Sequence, residues 1–242
     1  MRKVELNLPN HVAIIPDGNR RWARKNGLDP WEGHKEGADR IEEIIREALR
    51  IGVKCFTFWG SSVDNLTKRP LQEKKALLSI YEEYFDKLIN SQEVYDSEAK
   101  IVVLGDWRNQ FPRRLKNILE EGIERTKNHS RHVLCFLLAY NGDEDMLIAV
   151  QRIAKKAQEM KQYFDITKET IKENLVTSQL PEVDLLIRTG VDDDPHNSAG
   201  FLMWQTMNSQ YEFSTDMFPA FTKEAFNDAL KSYSMRFRRM GG

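Results

Sequence analysis

Long apolar runs are missing from this chain. No stretch approaches the length needed to cross a bilayer, and the first ten residues, MRKVELNLPN, lack the continuous apolar segment of a signal peptide. A soluble protein is expected, at most resting on a membrane surface. An excess of either charge is missing too: 36 Lys and Arg face 37 Asp and Glu. Bulk charge therefore gives no reason to expect a nucleic-acid partner, and any anion binding must come from local clusters. Cysteine is scarce, with two in the chain. Cys55 and Cys135 both lie inside apolar runs, VKCFTFW and HVLCFLLA, where they read as small buried hydrophobes in a reducing, cytoplasmic setting. There is no internal repeat, low-complexity tract or linker. There is also no Ser-His-Asp or Cys-His arrangement, zinc-ligand spacing, Walker sequence or GxGxxG, so nucleophilic and zinc chemistry fit poorly.

What is present is a set of short apolar runs: VAII (12–15), VKCFTFW (53–59), KIVVLG (100–105), HVLCFLLA (132–139) and VDLLI (183–187). Each has the length and near-continuous hydrophobicity of a strand buried on both faces. Helical spacing lies between them. One apolar face runs through Ala38, Ile41, Ile45 and Leu49 to a stop at Gly52, and a longer aromatic one through Leu77, Tyr81, Tyr84, Phe85 and Leu88. Further helices are expected over 115–123 and 146–160, and a last one starting at Thr222 as N-cap and reaching Phe237. This alternation predicts an α/β fold: a single domain over 1–242, with a mostly parallel central sheet covered by helices.

In open parallel sheets ligands bind beyond the carboxyl ends of the strands, and the unusual residues lie there. VAII leads into PDGNRRW, FTFW into GSSVDNLTKR, FLLA into YNGDED, and VDLLI into RTGVDDDPHNSAG. PDGNRR reads either as a turn with solvated arginines or as a diphosphate cradle. In the second reading Gly18 and Asn19 offer backbone N–H groups, Arg20 and Arg21 add charged donors, and Asp17 holds a Mg²⁺ that bridges to phosphate oxygens. Arg188 is placed to grip a second anion, or else to pin its loop by pairing with Asp192, Asp193 or Asp194. His34, at the start of the second helix, suits a phosphate contact or simple packing. His196 is a surface residue or a phosphate donor, and SSVDNL a polar loop with an Asx turn at Asp64 or Asn65.

The blocks HVAIIPDGNRRWA, GHKEGA, SSVDNLTKRP, VDLLIRTG, SAGFLMWQ and RFRRMGG resemble, in order and spacing, the cis-prenyltransferase family over nearly the whole chain. That resemblance implies one α/β domain with an elongated hydrophobic tunnel. It also implies Mg²⁺-dependent condensation of isopentenyl diphosphate with an allylic diphosphate, such as farnesyl diphosphate, to a polyprenyl diphosphate such as undecaprenyl diphosphate. Asp17 would hold the metal and assist departure of the allylic diphosphate. Gly18, Asn19, Arg20, Arg21 and His34 would cradle that group, and Trp22 would form pocket wall. Asn65 matches the proposed proton acceptor; because an amide is a feeble base, it is read as positioning isopentenyl diphosphate beside Ser62, Asp64 and Arg69, with released diphosphate or water as proton sink. Arg188, His196 and Ser198 match the residues that bind the diphosphate of isopentenyl diphosphate. The ending Arg239, Met240, Gly241 looks like one that reaches a partner's active site, which implies a homodimer, and the lipid product implies peripheral contact with a membrane.

Departures from the family pattern fall at phosphate and metal positions. Pro30, His196 and Asp143 stand where arginines are usual, and Gln210 stands where a second acid usually completes the Mg²⁺ site. Gln210 is expected to hold the ion through its carbonyl, or Glu212 or a loop aspartate to take over. Two other functions are open: a non-catalytic partner subunit, and an enzyme of the same fold that couples two short prenyl units.

Overall fold

The computed structural model describes residues 7–160 and 165–236. In chain order its elements are β1 (His11–Ile15), α1 (Asn19–Lys25), α2 (Pro30–Ile51), β2 (Cys55–Trp59), α3 (Val63–Thr67), α4 (Leu71–Ile89), α5 (Gln92–Asp96), β3 (Ala99–Leu104), α6 (Trp107–Gln110), α7 (Arg113–Thr126), β4 (His132–Leu137), α8 (Gly142–Met160), α9 (Lys168–Asn174), β5 (Leu185–Arg188), β6 (Gln210–Phe213) and α10 (Lys223–Met235). All five apolar runs became strands, shifted by up to two residues at their ends. The sixth strand, β6, was not anticipated: QYEF is half-exposed and polar, so it carries none of the continuous hydrophobicity by which the others were found.

The sheet is parallel throughout, in the order β3-β4-β2-β1-β5-β6. Alternate strand residues point to opposite faces. Val12, Ile14, Phe56 and Phe136 join a core with α2, α4, α7 and α10. Ala13, Ile15, Cys135 and Leu186 join a second core with Tyr140, Phe201 and Leu202. Both cysteines are buried and free. From β1 the chain moves to β2 on one side, whereas from β5 it moves to β6 on the other. The two strands are neighbours, so a crevice opens at their carboxyl ends.

α2 begins where its local chemistry dictates. Asp29 and Glu32 form a reciprocal capping box, Pro30 occupies the first turn, and Gly52 ends the helix at φ 95°. Pro30, which stands where the family often has a phosphate-binding arginine, is thus a helix-start residue. Gly33 and Gly37 let α1 lie directly on α2: a Cβ on Gly33 would sit 2.1 Å from the Asn19 carbonyl oxygen, and one on Gly37 2.3 Å from Asn19 Oδ1. For α10 the anticipated cap is present, with Thr222 Oγ1 accepting from the Ala225 amide at 3.3 Å, and Phe237 lies outside the described residues.

Two histidines, His11 buried and His34 partly so, give the fold a pH signature. His11 contacts the Pro181 carbonyl through Nδ1 (3.0 Å) and Thr57 Oγ1 through Nε2 (2.8 Å), and burial lowers its pKa to about 4. His34 is lowered to about 4 as well, by burial first and then by Arg69. The unfolded chain protonates these rings near 6.5 while the folded chain keeps them neutral down to about 4. The unfolded state therefore binds more protons in that window, and stability is lost as pH falls through it, by at most about 3 kcal/mol for each ring. Urea midpoints measured at pH 7 and pH 4.5 should show this loss, and His11→Gln should show a shallower pH dependence than the parent.

Candidate active site

The split between β1 and β5 is closed by an ion pair. Register sets Ile15 beside Arg188, and Arg188 Nη2 donates to Asp17 Oδ2 at 3.0 Å. The Arg188 side chain is 7% exposed and that of Asp17 41%. Asp17 Oδ1 accepts from the Gly18 amide at 2.6 Å, and buried Thr189 bonds both ends of the Asp17 backbone, at 3.0 and 2.9 Å. Arg188 does not pair with the loop aspartates. Its Nη1 instead donates to the His196 carbonyl at 2.6 Å and to Ser198 Oγ at 2.8 Å. Asp192 engages Arg21, whose Nη1 is 2.6 Å away and whose Nη2 donates to the Gly190 carbonyl. Arg21 Nη2 also lies 3.5 Å from Asp17 Oδ1, so this guanidinium links the loop after β5 to the Asp17 carboxylate. His196 contacts Asp194 through Nδ1.

PDGNRRW is a turn that opens into a helix. Gly18, at φ 100°, is the N-cap of α1, and Asn19 donates from Nδ2 to the Pro16 carbonyl at 3.0 Å. Asn19 Oδ1 is buried without a partner. α1 directs Arg20 toward α4, where a second charged cluster forms around Glu73. Oε1 of this buried carboxylate lies 3.5 Å from Arg20 Nε, 3.5 Å from His34 Nε2 and 3.3 Å from Arg69 Nη1, with no hydrogen bond of its own. Arg69 Nη1 is also 3.0 Å from His34 Nε2. A guanidinium has no acceptor, so this contact requires an unprotonated Nε2 and places the His34 proton on Nδ1. Glu73 was absent from the sequence reading. Its signal was an acid four residues after Arg69, across the Pro70 break.

Ser62 and Asn65 form another reciprocal cap. Ser62 Oγ accepts from the Asn65 amide at 3.1 Å, and the Ser62 amide donates to Asn65 Oδ1 at 3.3 Å. The anticipated polar loop is thus the short helix α3, and the Asn65 carbonyl oxygen is used in holding it. Asp64 pairs with Lys68 at the surface. Asp17, Asn19, His34, Ser62, Asp64, Asn65, Arg69 and Ser198 all line one cavity of about 680 Å³, which continues past Ile41, Ile45, Leu77, Phe85 and Phe136. Trp22 is not among its lining residues.

Gln210 is not brought to this cluster within the chain. It pairs with Leu185, which pairs with Val12, five residues before Asp17. Asp17 is held at Arg188, three residues beyond Leu185, so Gln210 lies roughly 10 Å back along the sheet from that level. Its Oε1 is buried without a partner. Glu212, the other suggested substitute, is bound to Arg236. Among the described residues no group of three or more His, Cys, Asp or Glu could hold a metal. One exposed carboxylate on the cavity lip still suits Mg²⁺, which is usually bound through one or two carboxylates and completes its shell with substrate phosphate and water. The donor set fits an ion that arrives with a diphosphate.

Residues 15–241 match the prenyltransferase family described as undecaprenyl diphosphate synthase. The chain belongs to this cis-prenyltransferase family. It is 34% identical over 97% of its length to a tritrans,polycis-undecaprenyl-diphosphate synthase (geranylgeranyl-diphosphate specific) of Methanocaldococcus jannaschii, covering 83% of that protein. It is also 34% identical to an isoprenyl transferase of Streptococcus thermophilus, over 98% of this chain and 94% of the relative. Among solved structures, lavandulyl diphosphate synthase from Lavandula x intermedia in complex with dimethylallyl diphosphate superposes with TM-score 0.87 at 30% identity, over 97% of this chain and 99% of that one. Such relatives make this cis-prenyltransferase a prenyl-transferring enzyme.

Removing the Asp17 carboxylate leaves Arg188 buried without its counter-charge. With Asp17 41% exposed and Arg188 keeping its bonds to the His196 carbonyl and Ser198, Asp17→Ala should cost about 1–2 kcal/mol of stability, and Asp17→Asn, which keeps an acceptor for the guanidinium, distinctly less. Urea unfolding of the two variants side by side measures the difference.

Proposed function

We propose that this cis-prenyltransferase elongates an allylic diphosphate with isopentenyl diphosphate in a Mg²⁺-dependent reaction, giving a polyprenyl diphosphate. The observation that carries this reading is a single cavity with a polar head, where Arg69 supplies the charge and His34 a neutral ring, and an apolar body between α2 and α4. The allylic diphosphate would lie at the head, and its hydrocarbon would extend into the body as into a tunnel. Asp17 is the residue that would hold Mg²⁺, which when bound would offset diphosphate charge. Arg20 and Arg69 are placed to stabilise the negative charge that develops as the carbon–oxygen bond of the allylic substrate breaks. Neutral His34 keeps its Nδ1 proton and adds no charge of its own. Arg188 and Ser198 would receive the second diphosphate at the other side of Asp17. Ser62 and Asn65, locked by their mutual cap, would hold the isopentenyl double bond in line with the allylic carbon. The new carbon–carbon bond forms from that double bond, and the proton then lost would pass to the released diphosphate or to water.

We read the chain as a homodimer. β6 is an edge strand, and Met203, Met207, Phe213 and Met235 nearby are exposed large hydrophobics. The ending Arg239, Met240, Gly241, assigned to a partner's site, lies outside the described residues. No described helix is long and apolar enough to cross a membrane, so delivery of a lipid product would rely on peripheral contact from a cytoplasmic location. The similarity to lavandulyl diphosphate synthase supports a second reading, coupling of two short prenyl units.

Purified protein with Mg²⁺ and labelled isopentenyl diphosphate, tested with dimethylallyl, farnesyl and geranylgeranyl diphosphates, separates these readings. Elongation predicts a ladder of long products, with Asp17→Asn slower by about a hundredfold or more. One short product from dimethylallyl diphosphate supports coupling. No product from a folded protein rejects both and favours a non-catalytic partner subunit.

A further inference from the structure

The cavity between α2 and α4 changes character along its length. Besides the apolar residues its wall includes Glu42, Arg46, Lys87 and Glu93. Arg46 is clamped there: Nη2 donates to Glu42 Oε1 at 2.6 Å, and Nε lies 2.9 Å from Glu93 Oε2, tying α2 to α5. The side chains of Arg46 and Glu93 are 54% and 56% exposed, so the cavity arrives at the surface here. Arg46, Leu49 and Glu93 also line a second space, a groove of about 610 Å³ whose other walls are charged, among them Arg40, Glu47 and Arg50. The ion pair and Leu49 therefore partition an apolar chamber from a charged groove. His34 and Arg46 are twelve residues apart on one helix, which puts this partition about 18 Å from His34 at the head of the cavity.

We propose that the Arg46–Glu93 pair, with Glu42, ends chain growth and so sets the longest product. The proposal rests on the reading that the cavity receives the prenyl tail. Each added isoprenyl unit gains burial while the wall ahead of it is apolar. At the level of Arg46, one turn before Leu49 on α2, the tail meets a guanidinium and two carboxylates, and behind them a hydrated charged groove. A further unit there gains no apolar contact and must strip water from ions. Exposed ion pairs add little to stability, so this one acts through its polarity and bulk, and its removal is compatible with folding.

The test compares product ladders of Arg46→Leu, Glu93→Leu and the double variant with the parent, starting from farnesyl diphosphate. Arg46→Lys serves as a charge-preserving control and Ile45→Trp as a block inside the chamber. The proposal predicts that the leucine variants lengthen the longest product by at least one isoprenyl unit, most in the double variant, while Arg46→Lys keeps the parent length and Ile45→Trp shortens it. If Ile45→Trp shortens the product and the leucine variants leave it unchanged, the partition has no role in termination and the proposal alone is overturned. If Ile45→Trp leaves length unaltered, the tail does not occupy this chamber, and the functional reading falls with the proposal. A parent that makes only a single short product also overturns it, because its tail would never reach Arg46.

Discussion

The ion pair between Asp17 and Arg188 is the contact on which the rest of the site depends. It spans the line where β1 and β5 send their chains to opposite sides of the sheet, so that a ligand there can reach backbone and side chains from both. Thr189 fixes the Asp17 backbone against β5, and Gly18 turns the chain into α1. α1 is pressed onto α2 at Gly33 and Gly37, so its first arginine faces the first turn of α4. A shift at Asp17 would therefore be transmitted to Arg20 and to the Glu73 cluster.

α2 carries the division of labour. Its amino-terminal third presents glycine and His34 to the charged head, its middle presents Ile41 and Ile45 to the chamber, and its last turns present Arg46 to the distal mouth. One 22-residue helix thus sets both the position of the cationic head and the length of apolar wall behind it. α4 mirrors this from the other side, with Glu73 at the head and Tyr81, Phe85 and Leu88 along the wall.

The parallel sheet was readable because five of its strands are buried on both faces, and burial writes itself as continuous hydrophobicity. β6 escaped because QYEF is half-exposed and carries no such run, and the short helices α1 and α3 escaped because their caps look like turn residues. The blocks around Asp17 and Asn65 supply walls of one cavity, yet their bonding was hidden. Which acid takes Arg21 or Arg188 depends on loop geometry, and Asp192 proved to serve Arg21. Glu73 was invisible because a charged residue in a helix's first turn is ordinarily solvated, and only the packing of α1 and α2 over it makes it buried. For Gln210, alignment can name a matching position, but the β5–β6 register decides which end of the sheet that position occupies.

The central claim is that the diphosphate head and the hydrocarbon tail share one cavity between α2 and α4. A crystal structure with a non-hydrolysable allylic diphosphate analogue tests it most directly. The account predicts phosphate oxygens within hydrogen-bond distance of Arg20 or Arg69 and a tail running along Ile41, Ile45 and Phe85. A diphosphate seated elsewhere, or a tail lying outside that chamber, would contradict it.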